Sequence, residues 1–186
     1  MEKFSLVIYW KKLLQNDNFD QQFEQWELSG PSSVLDEDTQ KNLAKQAIYA
    51  WQWIKIFYYC EKGSIAEKES FKKSIKLVDT FEDKLALCSV AVGKSNKYTK
   101  EAFGKAFKKA SSTDEYLEIY MLDLGKDYNS ECLSAMEAIE TSFKKWQIIC
   151  DGCDRNLNFS LFSFSVDRMF ELAKDQDDWL VYFRYI

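Results

Sequence analysis

A run of seventeen residues from Ala44 to Cys60 constrains most strongly what this chain can fold into. It contains two tryptophans, three tyrosines and one phenylalanine, and its polar side chains are Lys45, Gln46, Gln52 and Lys55. Wound as an α-helix, the run places these polar side chains in a thin stripe on an otherwise apolar cylinder. Each aromatic side chain removes roughly 150–250 Å² from water when it is buried. The sequence therefore predicts one central helix over Ala44–Cys60, with the other helices packed around it.

A membrane span is the alternative interpretation of this run. Its continuous apolar part, Ala47–Cys60, is shorter than the ~20 residues that a bilayer requires, and Gln52 and Lys55 interrupt it. Met1–Lys12 places an apolar run before Lys11 and Lys12, where a secretory signal would have a cleavage site of small residues. We therefore expect a cytoplasmic protein that does not contact membranes and whose cysteines are reduced.

The low content of turn residues favours long helices. The chain has 186 residues but only six glycines and one proline, whereas a β-sandwich or barrel needs a turn every ~8–12 residues. The length suits one domain. We predict an all-α fold, a single domain over residues 1–186 with seven or eight helices.

Apolar spacing places several of these helices. The clearest repeat steps by three or four residues from Cys132 to Cys150 and predicts one helix that Gly152 ends. The same spacing from Phe71 to Val92 predicts one long helix, or two helices broken at Asp79-Thr80. Near the carboxyl end it favours a helix over Ser160–Lys174.

The last thirty residues also fit a different structure. Phe162–Asp167 alternates apolar and polar residues as a strand does, and Trp179–Phe183 is rich in residues that favour strands. A small C-terminal β-hairpin is therefore an alternative to helix in this segment.

The absence of histidine excludes much enzyme chemistry. Without it there is no Ser-His-Asp or Cys-His nucleophile pair and no zinc site that relies on histidine ligands. Cys150 and Cys153 have the spacing of a redox or zinc pair, but Cys150 lies at the end of a predicted helix, where the helix dipole opposes a thiolate. We interpret this pair as structural, and expect no catalytic residue, metal or cofactor.

A basic segment, Lys94–Lys109, could contact phosphates. It carries six lysines against one glutamate and contains no arginine. Phe103 and Phe107 are predicted to face the core, which leaves Tyr98 as the aromatic side chain free to stack on a base. We interpret the segment as a solvated helix face, with nucleic-acid binding as the alternative.

An acidic segment follows it directly. Eight acidic residues and one lysine lie between Asp114 and Glu140, interleaved with tyrosines. Carboxylates steer a basic partner, and aromatic side chains anchor it; a solvated face is again the alternative. The predicted partner-binding residues are Asp114, Glu115, Tyr116, Glu118, Tyr120, Asp123, Asp127, Tyr128 and Glu131.

Charge and composition together favour a protein that binds another protein. The net charge is −5, so the long-range field disfavours nucleic acid and anionic lipid. We expect a cytosolic, non-enzymatic binding module with a basic protein as its partner. Immunity proteins and inhibitors that neutralise basic, nucleic-acid-processing proteins are the physical analogy. A nucleic-acid-binding protein that uses Lys94–Lys109, and a small enzyme without histidine, are the alternatives.

Overall fold

The computed structural model describes residues 18–28, 34–122, 129–153 and 158–186. All regular secondary structure in these ranges is α-helical, which confirms the predicted all-α class. There are eleven helices in this part of the chain, more than the seven or eight predicted. They are α1 (Asn18–Leu28), α2 (Glu37–Gln46), α3 (Ala50–Tyr59), α4 (Ile65–Leu77), α5 (Phe81–Val92), α6 (Asn96–Lys109), α7 (Thr113–Met121), α8 (Asn129–Ile139), α9 (Phe143–Gly152), α10 (Phe159–Leu172) and α11 (Gln176–Tyr182).

The described helices group into two compact units. The first unit comprises α1–α6, in residues 18–28 and 34–110, and the second unit comprises α7–α11, in residues 111–120, 129–153 and 158–186. The prediction of a single domain over residues 1–186 stays a prediction.

Helix α3 lies at the centre of the first unit. It packs against α2, α4 and α5, and its Ile54 and Phe57 side chains are completely buried. Trp51 is also buried and meets the Phe19 ring edge-on, with 5.7 Å between the ring centroids. The apolar, aromatic composition of this stretch therefore leads to the predicted central position.

The predicted Ala44–Cys60 helix is wrong in one respect, because the structure divides it between α2 and α3. Helix α2 ends at Gln46, and α3 begins at Ala50. The Gln52 side-chain oxygen accepts hydrogen bonds from the main-chain N–H groups of Ile48 at 2.7 Å and Tyr49 at 3.0 Å. Buried Gln52 thus satisfies donors that a helix start leaves without intrahelical partners.

The predicted continuous helix from Cys132 to Cys150 is also wrong. Helix α8 ends at Ile139 and α9 begins at Phe143. The Ser142 hydroxyl accepts a hydrogen bond from the Lys145 N–H at 3.3 Å and caps α9. Between Phe71 and Val92 the structure likewise has two helices, α4 and α5, and Thr80 caps the second of them.

The C-terminal residues are helical, so the alternative of a β-hairpin is wrong. Residues 158–186 contain no strand; α10 covers nearly all of the segment predicted as a helix, and α11 covers most of the β-prone run. The Asp175 carboxylate accepts a hydrogen bond from the Asp178 N–H at 2.9 Å. This cap, with acidic residues in the first turn, favours helix over the local preference for strand.

Candidate protein-binding surfaces

The nine residues predicted to contact a partner fall into three groups. Asp123, Asp127 and Tyr128 lie outside the described residues. Glu131 lies in the first turn of α8. The other five lie on α7 and are Asp114, Glu115, Tyr116, Glu118 and Tyr120.

The first two acidic side chains of α7 interact within the second unit. Asp114 forms an ion pair of 2.5 Å with Lys145 on α9. Glu115 accepts hydrogen bonds from the N–H groups of Ser111 at 2.7 Å and Ser112 at 3.1 Å. Burial opposes the charged form of Glu115, but these hydrogen bonds outweigh it and lower the pKa of the carboxyl. Both carboxylates therefore have structural partners, and Glu115 completes the N-terminal cap of α7.

The tyrosines of α7 differ in exposure. Tyr120 is 6% exposed and hydrogen-bonds to the main chain of Leu161. Its burial raises the pKa of the phenol. Tyr116 is half-buried, whereas Glu118 and Glu131 are exposed. The structure thus leaves Tyr116, Glu118 and Glu131 accessible among the described members of the predicted set, and places Tyr120 in the core.

Charge is segregated between the two units. The described residues of the second unit contain twelve acidic and five basic side chains. Those of the first unit contain thirteen acidic and fifteen basic side chains. The acidity of the chain is therefore concentrated in the second unit, where it favours the approach of a basic molecule.

A cluster of aromatic rings covers the junction of α10 and α11. Phe170 on α10 lies 5.5 Å from Trp179 and 5.6 Å from Tyr182, measured between ring centroids. Phe183 extends the cluster, 5.8 Å from Tyr182. The Tyr185 hydroxyl donates a hydrogen bond to the Asp151 carboxylate and so links the segment after α11 to α9. Contacts between side chains thus hold α11 against the rest of the second unit.

Much of this cluster is open to solvent. Phe170 is 53% exposed and Phe183 is 61% exposed, and no side chain of α11 is buried. Leu180 and Ile186 in the same C-terminal segment are also exposed. We call this surface the acidic aromatic face, because the same two helices and their connection also carry five carboxylates. They are Asp167, Glu171, Asp175, Asp177 and Asp178.

Sequence reasoning missed the acidic aromatic face because it treated Trp179–Phe183 as β-prone. The signal that could have found it is the helical spacing of Trp179, Tyr182 and Phe183, at i, i+3 and i+4. Asp175 and Asp178 precede this spacing as an N-terminal cap and first-turn acid.

The basic segment forms α6, and its first lysine is engaged within the first unit. Lys94 Nζ donates a hydrogen bond of 2.6 Å to the Cys60 carbonyl and lies 4.0 Å from the Glu67 carboxylate. Burial lowers the pKa of Lys94. The remaining lysines of the segment are exposed and are Lys97, Lys100, Lys105, Lys108 and Lys109.

Tyr98 is not free to stack on a base, which corrects the sequence prediction. Its ring lies 4.3 Å from the Phe71 ring and 5.5 Å from the Phe57 ring, measured between centroids. Phe103 is buried, as predicted, and Phe107 is half-buried against it. Helix α6 therefore presents exposed lysines without the free aromatic platform that single-stranded nucleic acid prefers.

A groove of about 820 Å³ lies between α2 and α4 in the first unit. Its floor includes Leu35, Trp53 and Ile56. Lys73 Nζ lies 5.9 Å from the centre of the Trp53 ring, within range of a cation–π contact. We call it the lysine-rimmed groove, because three exposed lysines of α4 line one wall: Lys72, Lys73 and Lys76.

We compared the chain with protein-family models, curated proteins and solved structures. No match was found in any of the three.

The cysteines of the described residues are free thiols, and the Cys150–Cys153 pair is no exception. Cys153 Sγ donates a hydrogen bond of 3.1 Å to the Ile149 carbonyl, and burial raises the pKa of its thiol to about 11. Among the described residues, no group of three or more cysteine, aspartate or glutamate side chains is arranged to hold a metal ion. None of the described helices is both long enough and apolar enough to span a bilayer.

Proposed function

We propose that this protein is a non-enzymatic binding module that engages a basic protein partner through the acidic aromatic face. The physical analogy is an immunity protein or inhibitor that neutralises a basic, nucleic-acid-processing protein. The observation that carries the proposal is the exposure of Phe170 and Phe183 within a four-ring cluster, on helices that also carry exposed carboxylates.

Aromatic residues at such a surface provide affinity. Phe170, Trp179 and Tyr182 contact one another, so their rotamers are restricted before a partner arrives. Binding then loses less side-chain entropy than it would with mobile side chains. Exposed Phe183 and Leu180 supply apolar area that a partner can cover. Residues of this kind form the binding hot spots of many protein interfaces.

The carboxylates on the same two helices provide steering. Asp167 and Asp177 are exposed on α10 and α11, and the excess of acidic side chains extends across the second unit. A field of this sign accelerates the approach of a basic protein and weakens as salt shortens the Debye length from ~30 Å at 0.01 M to about 8 Å at physiological ionic strength. Association should therefore depend strongly on salt, and dissociation much less.

The experiment begins with recovery of a partner from the native host by affinity capture and mass spectrometry. Surface plasmon resonance then compares Phe183→Ser with Ile148→Ser, a matched control because Ile148 is 56% exposed on α9. We expect Phe183→Ser to accelerate dissociation by roughly tenfold or more, and Ile148→Ser to leave it unchanged. Equal effects of the two variants would contradict the proposal.

A charge series separates this proposal from nucleic-acid binding. Asp167→Lys and Asp177→Lys should slow association with the partner, whereas neutralising Lys100, Lys105 and Lys108 on α6 should not weaken the complex. Glu118→Lys tests the predicted segment on α7 without disturbing the cap that Glu115 forms. If only the lysine variants lose binding, and a gel shift shows salt-dependent nucleic-acid binding by the parent, nucleic-acid binding replaces this proposal.

A further inference from the structure

We propose that the lysine-rimmed groove is a second binding site, which accepts an acidic amphipathic helix from a partner protein. The site lies in the first unit, and its ligand is opposite in charge to the basic partner proposed above. It therefore does not depend on the acidic aromatic face. The length of the groove, its apolar floor and the distribution of charge along its walls favour such a ligand.

The groove is long enough for a short helix. Helices α2 and α4 each pack against α3, and Trp53 and Ile56 of α3 line the groove between them. The wall residues of α4 extend from Ile65 to Lys76, a distance of ~16 Å or about three helical turns. Strand addition to a sheet edge is one of the other common modes of peptide binding, and the described residues contain no strand.

The floor and mouth of the groove offer apolar contacts. Trp53 is half-buried at the floor, and Ile65 is 75% exposed at the mouth. An amphipathic helix presents apolar side chains at i, i+3, i+4 and i+7, and these would cover both residues. A purely polar acidic peptide would leave them exposed to water.

The wall nearest α2 is held in place before any ligand binds. The Leu35 N–H donates a hydrogen bond of 3.0 Å to the Tyr59 carbonyl at the end of α3. The Gln40 side-chain amide donates one of 2.8 Å to the Leu35 carbonyl. These bonds tie the segment before α2 to α3, so binding does not need to order this side of the groove.

The free positive charge lies at one end of the groove. On the α2 wall, Lys41 is paired with Glu37 at 2.7 Å. On the α4 side, Glu61 and Glu69 precede the three lysines along the chain. Positive charge therefore increases toward the C-terminal end of α4, where Lys72, Lys73 and Lys76 are exposed. Carboxylates of the partner helix should face this end, and a basic helix should be repelled there.

Fluorescence anisotropy with labelled model peptides tests the proposal. The probes are amphipathic peptides of ~15 residues, long enough to form about four turns, with Leu, Phe or Trp on the apolar stripe and Glu elsewhere. A second set has Lys in place of Glu. We expect at least one acidic peptide to bind the full-length chain at low salt, and its lysine counterpart to bind at least roughly tenfold more weakly.

Variants then locate the bound peptide. Replacing Lys72, Lys73 and Lys76 by Glu should reduce the affinity for the acidic peptide at least roughly tenfold. Replacing Lys100, Lys105 and Lys108 on α6 by Glu should leave that affinity unchanged. Ile65→Gln removes apolar contact without changing charge and should also weaken binding. Circular dichroism confirms that each variant is folded. The proposal is overturned if no acidic peptide binds, if both lysine sets lose binding equally, or if the variants of the groove retain full affinity.

Discussion

The Trp146 indole N–H donates a hydrogen bond of 3.3 Å to the main-chain carbonyl of Glu140, across the corner between α8 and α9. The ring of Trp146 is completely buried and meets Phe164 with 5.6 Å between centroids. The Glu140 carboxylate accepts hydrogen bonds of 3.0 Å from the Ser142 N–H and from the Thr113 hydroxyl. One residue thus links the corner, the start of α7 and a core tryptophan.

Removing the Glu140 carboxylate should weaken this corner. Glu140→Ala leaves the Ser142 N–H and the Thr113 hydroxyl without their acceptor, and should lower the free energy of unfolding by roughly 1–2 kcal/mol. Urea denaturation measures the change. Glu131→Ala on the exposed first turn of α8 is the control and should cost less than about 0.5 kcal/mol. Equal losses in the two variants would show that the corner does not depend on Glu140.

The two tryptophans of α3 should differ in their contribution to stability. Trp51 is 7% exposed and contacts Phe19, whereas Trp53 is half-buried at the floor of the lysine-rimmed groove. Trp51→Ala should therefore cost roughly 3–5 kcal/mol, and Trp53→Ala clearly less, because burial and cavity formation set the cost. Thermal melts of both variants test this order. A Trp51→Ala protein that melts within a degree or two of the parent would contradict the assignment of α3 to the core.

Stability should decline in alkaline solution because buried thiols resist ionisation. Burial raises the pKa of Cys88 and of Cys132 to about 12, whereas a thiol in an unfolded chain has a pKa of about 8.5. At pH values between these two pKa values, the folded state keeps thiol protons that the unfolded state loses. The stabilisation is therefore complete below the unfolded pKa and is lost progressively as pH rises toward the folded pKa.

Urea titrations at about pH 8, 9 and 10 measure this decline. Burial lowers the pKa of Lys55, Lys84 and Lys94, which acts in the opposite direction. Comparison with Cys88→Ala separates the two effects, because the lysines remain in both proteins. The variant should be less stable near pH ~8 but should lose less stability between pH ~8 and ~10 than the parent. Parallel pH profiles would mean that Cys88 ionises equally in both states.

Helix α11 should exchange its amide hydrogens faster than its neighbours in the second unit. It has no buried side chain, whereas Trp146, Ile149 and Cys150 are buried on α9. Local opening of α11 therefore exposes little additional apolar surface and requires less free energy than opening of α9. Hydrogen exchange followed by mass spectrometry compares the two helices. Equal protection would indicate that α11 opens only with the rest of the unit.

The free thiols lead to a simpler expectation. Cys60, Cys88, Cys132, Cys150 and Cys153 are all free, so reducing agent should leave the melting temperature unchanged. A decrease of several degrees would indicate a disulfide that forms in solution, with Cys150 and Cys153 as the first pair to examine by mass spectrometry.

Local features of the sequence were sufficient to predict the helical class and several helix boundaries. Ser112 and Glu115 have the spacing of a capping box and form one, and Thr80 caps α5 at the break that one of the two predicted alternatives places there. Such signals depend on side chains three or four residues apart, which meet on any helix. They could therefore be recognised before any tertiary contact was known.

The predicted partner surface depended on information that spacing does not contain. A tyrosine at a helical position can face solvent or the core, and the neighbouring helices decide which. Tyr120 is buried, whereas Phe170 and Phe183 remain exposed on a segment for which the sequence allowed either helix or strand. Sequence composition indicated an acidic, aromatic surface, but the structure locates the exposed aromatic cluster on α10 and α11.

By itself, the sequence determined that this chain forms helices with apolar faces, because a period near 3.6 residues is imposed locally. Tertiary structure decided where two of the predicted helices, Ala44–Cys60 and Cys132–Cys150, are interrupted. From Ile139 to Phe143 the apolar spacing continues unchanged through a three-residue corner, so periodicity could not reveal it. The corner is instead set by Glu140, whose partners Thr113 and Trp146 come from α7 and α9. Contacts between residues distant in sequence, or on successive helices, form only when the helices pack, and that packing selected the break.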